Sequence, residues 1–238
     1  MRTVLVSETD LQESEVVLEG ETHRHLFRSA RQRRGDRLRL VDGVGQARWG
    51  EVVDVDRSQA MVKVLGEAPS NEPAVALEIR VAAPKGNRAS WLVEKATELG
   101  VVGIQFFRCG RGPRSYGGST LGRLQRVARS AVEQCHRSRV PVVSGMLDFR
   151  RALEDLPPSG AFHLDPDAPQ GPPTRVPAEA VVMIGPEGGF RPSELEALGE
   201  VGSRGVRLGS AVLRIETAAL AAVACFLHPA PSDESDRL

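Results

Sequence analysis

No apolar run in this chain approaches the roughly 20 residues needed to cross a bilayer, and the opening Met1-Arg2-Thr3-Val4-Leu5-Val6-Ser7-Glu8 lacks the long apolar core of a signal peptide. A cytoplasmic protein with no membrane partner is expected. Cysteine is also scarce: Cys109, Cys135 and Cys225 are odd in number and show no CxxC spacing, so neither a disulfide framework nor a zinc site is indicated and no metal is expected. There is no HExxH or GxSxG signature, which removes the commonest hydrolase readings. The GxxxxGK[ST] loop of nucleoside triphosphate enzymes is missing as well, as are internal repeats and heptads.

What is present is an ordinary globular composition, 41 % hydrophobic and 26 % charged over 238 residues, enough for two domains of typical size. Net charge is zero, but the charges are segregated. Acidic residues crowd the start, and Arg24, Arg28, Arg31, Arg33, Arg34, Arg37 and Arg39 follow them. A second basic set includes Arg123, Arg126 and Arg129, at a spacing that shares one helical face, with His136, Arg137 and Arg139 just beyond. Local patches of this kind, and not the net sum, set affinity for a phosphate backbone.

The alternation at 37–41, 47–55 and 60–65, with an Asp42-Gly43 turn, predicts hairpins in a small β barrel or sandwich. The Pro-containing stretch 67–73 reads as a linker. Residues 1–70 form one expected domain, 74–229 a second, and 230–238 a flexible tail. Within the second, strands are expected at 75–83, 101–107, 140–143, 161–164 and 180–184, with helices at 90–99, ending at Gly100, 121–135 and 149–156. Such alternation predicts an α/β fold with a mostly parallel sheet covered on both faces.

The most informative stretch runs from Val181 to Glu194, where an apolar strand empties into Gly185-Pro186-Glu187-Gly188-Gly189 and then a helix opening at Arg191-Pro192 or Ser193. The free amides of that helix's first turn are expected to face a ligand. The plan repeats from Val206 to Ala218: a short strand, a loop centred on Gly209, and an apolar helix over 218–227. Two adjoining corners of this kind make a crevice at a sheet edge, where α/β proteins usually bind ligands. Glu187, Arg214 and Glu216 are charged residues in otherwise apolar, glycine-flanked loops, where desolvation is costly without a partner or a task. One reading is an Arg214 salt bridge to a glutamate; the other is contact with a polar ligand.

Four segments, 94–101, 131–141, 184–190 and 208–218, resemble the RsmE family, the bacterial 16S rRNA uridine N3-methyltransferases of the SPOUT (trefoil-knot) superfamily. Weaker likeness occurs at His25, Arg31, Gly35-Asp36, Asp42-Gly43 and Lys85-Gly86. The resemblance implies a PUA-like N-terminal barrel that binds RNA. It also implies a knotted C-terminal α/β domain that binds S-adenosyl-L-methionine and forms a homodimer, with 16S rRNA of the small ribosomal subunit as partner. Leu164, Gly185, Glu187, Gly188, Gly189, Leu208, Gly209, Leu213 and Arg214 would then line the cofactor. Arg24, Arg28, Arg31, Arg33, Arg34, Lys85, Arg123, Arg126 and Arg137 would hold RNA. Arg214 is the candidate for stabilising charge on the uracil carbonyls, and Glu216 or Glu187 for accepting the N3 proton. Two other readings stand beside this one: a noncatalytic RNA-binding protein with a degenerate cofactor fold, and an enzyme using the crevice for a different nucleotide-like ligand.

If the arginines grip phosphates, neutralising Arg31 and Arg34 should weaken RNA binding while leaving cofactor affinity intact. The log–log salt slope should flatten by about 0.7 per lost single-strand contact. Filter-binding titrations at several salt concentrations read this directly, and an unchanged slope would count against the assignment.

Overall fold

The protein is described from a computed structural model over residues 1–29, 32–84, 87–108 and 116–228, without the side chains of 28 and 29. By contacts it divides into two compact units, Met1–Glu72 with Arg129–Val140, and Pro73–Ala128 with everything from Pro141 onward. The break at residue 72 falls in the expected linker, but the inclusion of 129–140 in the first unit has no counterpart in the sequence reading.

The first unit contains β1 (Arg2–Leu5), α1 (Glu8–Gln12), β2 (Glu15–Glu19), α2 (Gly20–His23) running into a π-helical turn at Arg24–Ser29, then β3 (Arg37–Val41), β4 (Ala47–Val55) and β5 (Gln59–Glu67). Its five strands form a curled half-barrel in the order β1-β3-β4-β5-β2. The β3–β4 hairpin turns where expected, because Asp42 Oδ1 accepts the N–H groups of Val44, Gly45 and Gln46 at 2.8, 3.0 and 3.0 Å. Alternate strand residues point into a cluster of Val4, Leu11, Val16, Leu18, Leu26, Leu38, Leu40, Val52 and Val62.

The basic run of this unit is not all surface. Arg24, Arg33, Arg34 and Arg37 are exposed, whereas Arg39 is 2 % exposed and donates to the Pro69 carbonyl at 2.7 Å. Arg137 departs from its expected role in RNA binding. It is 3 % exposed, and its Nε and an NH2 group donate to Glu72 Oε2 at 3.1 and 2.6 Å. The other Glu72 oxygen accepts from the Ser138 and Arg139 N–H groups at 2.7 and 2.9 Å. A buried guanidinium spent on a largely covered carboxylate is structural, and this pair fastens 129–140 into the first unit. Leu5 N–H to Glu133 Oε1 at 3.2 Å and Thr3 Oγ1 to His136 Nδ1 at 2.8 Å add to the same seam.

The second unit contains β6 (Ala76–Ala82), α3 (Arg88–Leu99), β7 (Gly103–Arg108), α4 (Gly118–Cys135), β8 (Val142–Asp148), a 3₁₀ turn at Arg151–Leu153, β9 (Ala161–Leu164), β10 (Glu179–Ile184), α5 (Pro192–Glu200), β11 (Arg204–Val206) and α6 (Ile215–Leu227). The last residues of α4 belong by contacts to the first unit. The sheet order is β11-β9-β10-β6-β7-β8, and every pairing is parallel. Near-continuous apolar runs such as Val181-Val182-Met183-Ile184, all buried, suit strands covered on both faces. α3 stops where expected, at Gly100, whose φ of 117° is open to glycine and strained for other residues. The expected helix at 149–156 is only the 3₁₀ turn, and α6 begins three residues before the expected start at 218.

Burial alone would raise the Glu72 carboxyl, but the Arg137 hydrogen bond and charge and the two backbone N–H groups outweigh it and hold it below its ordinary value of 4.5. A depressed carboxylate contributes stability that is complete above about 4.5 and is lost as pH falls through its folded-state value below that. Glu72→Gln should therefore destabilise the protein by about 1.5–3 kcal/mol at neutral pH, since the buried Arg137 guanidinium loses its charged acceptor. It should also flatten the loss of stability on acidification, as read by urea unfolding at a series of pH values.

Candidate active site

β11, β9 and β10 lie side by side and parallel, so the chain leaves all three on the same sheet edge, at Val206, Leu164 and Ile184. The segments that follow them enclose, with the first turn of α6, a cleft that opens to solvent. A position beyond the carboxyl ends of parallel strands is where small-molecule sites form.

Ile184, Val206, Leu208, Leu213, Ile215 and Ala218 give the cleft apolar walls, and Asp165 and Glu187 supply its carboxylates. Of the residues expected to hold a cofactor, Leu164, Gly185, Glu187, Gly189, Leu208, Gly209 and Leu213 line it; Gly188 and Arg214 do not. The turn after β10 is closed by Gly189 N–H on the Pro186 carbonyl at 2.9 Å, with Gly189 at φ 74°. Gly185 is needed for space: a Cβ there would lie 3.1 Å from the Phe190 ring. That ring is held by Phe149 and Phe107 at centroid distances of 5.8 and 6.5 Å and by the edge of His163 at 6.2 Å. His163 is a packing residue. Burial pushes its pKa below the ordinary 6.5 against the pull of Asp165, and Nδ1 shares a hydrogen bond with Ser203 Oγ at 3.0 Å.

Of the two helices expected at the crevice, one lines it. No residue of α5 lines it; at the start of α5, Glu194 turns back to accept the Arg191 N–H at 2.7 Å. The first turn of α6 takes that place, with Ile215 and Ala218 in the wall and no side-chain cap from the N-cap residue Arg214. The early start of α6 moves Glu216 out of the loop and into the helix, where it is 7 % exposed.

Of the two readings of Arg214, the salt bridge is not found among the described residues: Arg214 is exposed, and the cation between the glutamates is Arg88, at the start of α3. Its NH1 lies 3.5 Å from Glu187 Oε1 and its Nε 3.6 Å from Glu216 Oε1. Glu216 Oε2 is buried with no hydrogen-bond partner among the described residues. Sequence reasoning missed Arg88, which is 99 positions from Glu187 and carried no motif beyond its place beside Lys85-Gly86. It also missed Asp165, whose signal was available as a charge at the carboxyl end of a strand. Of the basic candidates in this unit, Arg123 and Arg126 are exposed on α4. Lys85 and, in the first unit, Arg31 and the Arg28 side chain lie outside the described residues.

Comparison with known proteins agrees with this architecture. A family model described as an RNA methyltransferase domain matches residues 71–227, and one described as an RNA methyltransferase PUA domain matches 18–65. The class is thus a PUA-like unit joined to an RNA methyltransferase unit of the SPOUT fold. Ribosomal RNA small subunit methyltransferase E of Mycobacterium bovis is 32 % identical over 222 residues, 87 % of this chain and 84 % of that protein. The crystal structure of ribosomal RNA small subunit methyltransferase E from Neisseria gonorrhoeae, bound to S-adenosyl methionine, superposes with a TM-score of 0.85 at 30 % identity, covering 94 % of this chain and 96 % of that one. A probable rRNA-methyltransferase from Porphyromonas gingivalis superposes at 0.80 and 29 % identity, with 94 % and 95 % covered. The chain belongs to the ribosomal RNA small subunit methyltransferase E family.

Gly185→Ala should push the Phe190 ring by a few tenths of an ångström against its aromatic neighbours and destabilise the second unit by about 1–3 kcal/mol. Gly188→Ala, whose Cβ would meet nothing within 4 Å, should stay within about 0.5 kcal/mol. Urea midpoints of the two variants check the difference, and equal midpoints would contradict the packing argument.

Proposed function

We propose that this protein methylates N3 of a uridine in 16S rRNA of the small ribosomal subunit, using S-adenosyl-L-methionine, and that it acts as a homodimer in the cytoplasm. The observation that carries this reading is the cleft at the ends of β9, β10 and β11, in a chain whose relatives are named for methylation of small-subunit rRNA. The donor set suits that cofactor: apolar walls for a nucleoside, glycine turns that bring backbone close, and the Asp165 and Glu187 carboxylates for its hydroxyl and cationic groups. When bound, the cofactor supplies an electrophilic methyl group, and the homocysteine derivative leaves.

The rest falls to side chains of this chain. The apolar walls position the reactants in line, which supplies several kcal/mol of the barrier. The N3 proton must go to a base. Of the two candidates Glu187 is favoured, since it lines the cleft and its half-exposed side chain can pass the proton on to solvent. Glu216 stands behind Arg88 and outside the cleft lining, and holds that guanidinium in place. Arg214, exposed between the lining residues Leu213 and Ile215, is placed to meet negative charge developing on a uracil carbonyl. The exposed Arg24, Arg33, Arg34, Arg123 and Arg126 supply phosphate contacts.

Glu187→Gln should lower kcat by about 100-fold or more at saturating cofactor, while Glu216→Gln should act mainly on thermal stability. Stripped small subunits, methylated in vitro and digested to nucleosides for mass spectrometry, report 3-methyluridine directly. Full kcat in Glu187→Gln would remove it as the base, and no methylated uridine with wild-type protein and bound cofactor would overturn the reading. Sedimentation equilibrium at twice the chain mass is the expectation for the dimer.

A further inference from the structure

Trp91 is 47 % exposed on α3, although most large apolar side chains of its unit are buried. Arginines stand on its own helix and on α4. Arg88 precedes it by three residues on the same helical face, about 4.5 Å along the axis, and is the residue that reaches Glu187 at the cleft. From α4, Arg123 NH1 donates at 2.6 Å to the Oγ of Ser90, the residue before Trp91, so a second guanidinium meets the same turn of α3. Arg126 is exposed one turn further along α4. The acids that follow on α3, Glu94 and Glu98, share one cation, Lys95 Nζ at 2.8 Å from each. The Arg88 contacts are long for hydrogen bonds, so its guanidinium keeps donors for another anion.

An exposed indole among guanidinium groups is the combination that binds unpaired RNA, in which bases stack on the aromatic face and phosphates meet the cations. We propose that Trp91 is the stacking platform for an unpaired base of the RNA substrate, with Arg88 and Arg123 contacting its flanking phosphates. This rests on the reading of the chain as an RNA methyltransferase, and it adds the surface that presents the nucleotide to the cleft. A base exposed for chemistry must be held out of its stack, and a platform one helical turn from Arg88 is placed to hold it. The cationic flanks favour RNA here over a second copy of this chain, which would have to bury the Arg88 and Arg123 charges.

The chain has two tryptophans, Trp49 and Trp91, so Trp49→Phe leaves Trp91 as its only indole. Titrating that variant with a single-stranded oligouridylate should quench its emission, and the quench should weaken with added salt. If Trp49→Phe does not fold, the same quench should be present in the wild type and absent in Trp91→Phe. On ribosomal subunits, Trp91→Ala should raise the KM for RNA about 10-fold or more without changing the cofactor dissociation constant measured by calorimetry, and Trp91→Phe should restore most of it. No quench, an unchanged KM in Trp91→Ala, or dissociation of a dimer into monomers in Trp91→Ala would overturn the proposal. Quenching by a protein that binds cofactor but methylates nothing would uphold the platform and fail the enzymatic reading alone.

Discussion

Parallel pairing of β10 with β6 on one side and β9 on the other is the constraint from which the site follows. Parallel strands need crossovers that return the chain to the same starting edge, so their covering segments bury both faces and only the strand ends stay open to solvent. With β11 added beside β9, three carboxyl ends open together, and the loops leaving them have nowhere to pack except around a shared hollow. The glycines of those loops matter for this reason. At Gly185 any side chain would meet Phe190, so the course of the turn after β10 is set by the aromatic residue packed against it.

Charge is distributed by the same logic of burial. Arginines that look equivalent along the chain have three different tasks. Arg39 and Arg137 are turned inward and hydrogen-bonded to a carbonyl and a carboxylate, where losing a partner is costly. Arg88 bridges two glutamates beside the cleft. Arg33, Arg34, Arg123 and Arg126 remain in solvent, free to exchange counterions for phosphates. The zero net charge of the chain therefore says little about its partners.

The Glu72 seam gives 129–140 a place in the first unit while the rest of α4 stays with the second. A linear reading has no access to this, because the partners are 65 to 67 positions apart and none carries a local signal. Its basic neighbours point Arg137 toward RNA, whereas the fold pairs it with the Glu72 carboxylate.

The sequence by itself determined the elements and the glycine corners. Periodicity, turn chemistry and capping act over a few residues, so β3, β4, β9, the end of α3 at Gly100 and the two loops of the cleft were all legible in order. The family likeness was legible too, since it rests on contiguous segments such as 184–190 and 208–218. Only the tertiary structure decided which helix serves the cleft, which arginine stands between Glu187 and Glu216, that Asp165 joins the lining, and that Trp91 lies open beside cations. Each of these depends on strand order and on contacts between residues distant in the chain, where packing and desolvation, and not local propensity, select the partner.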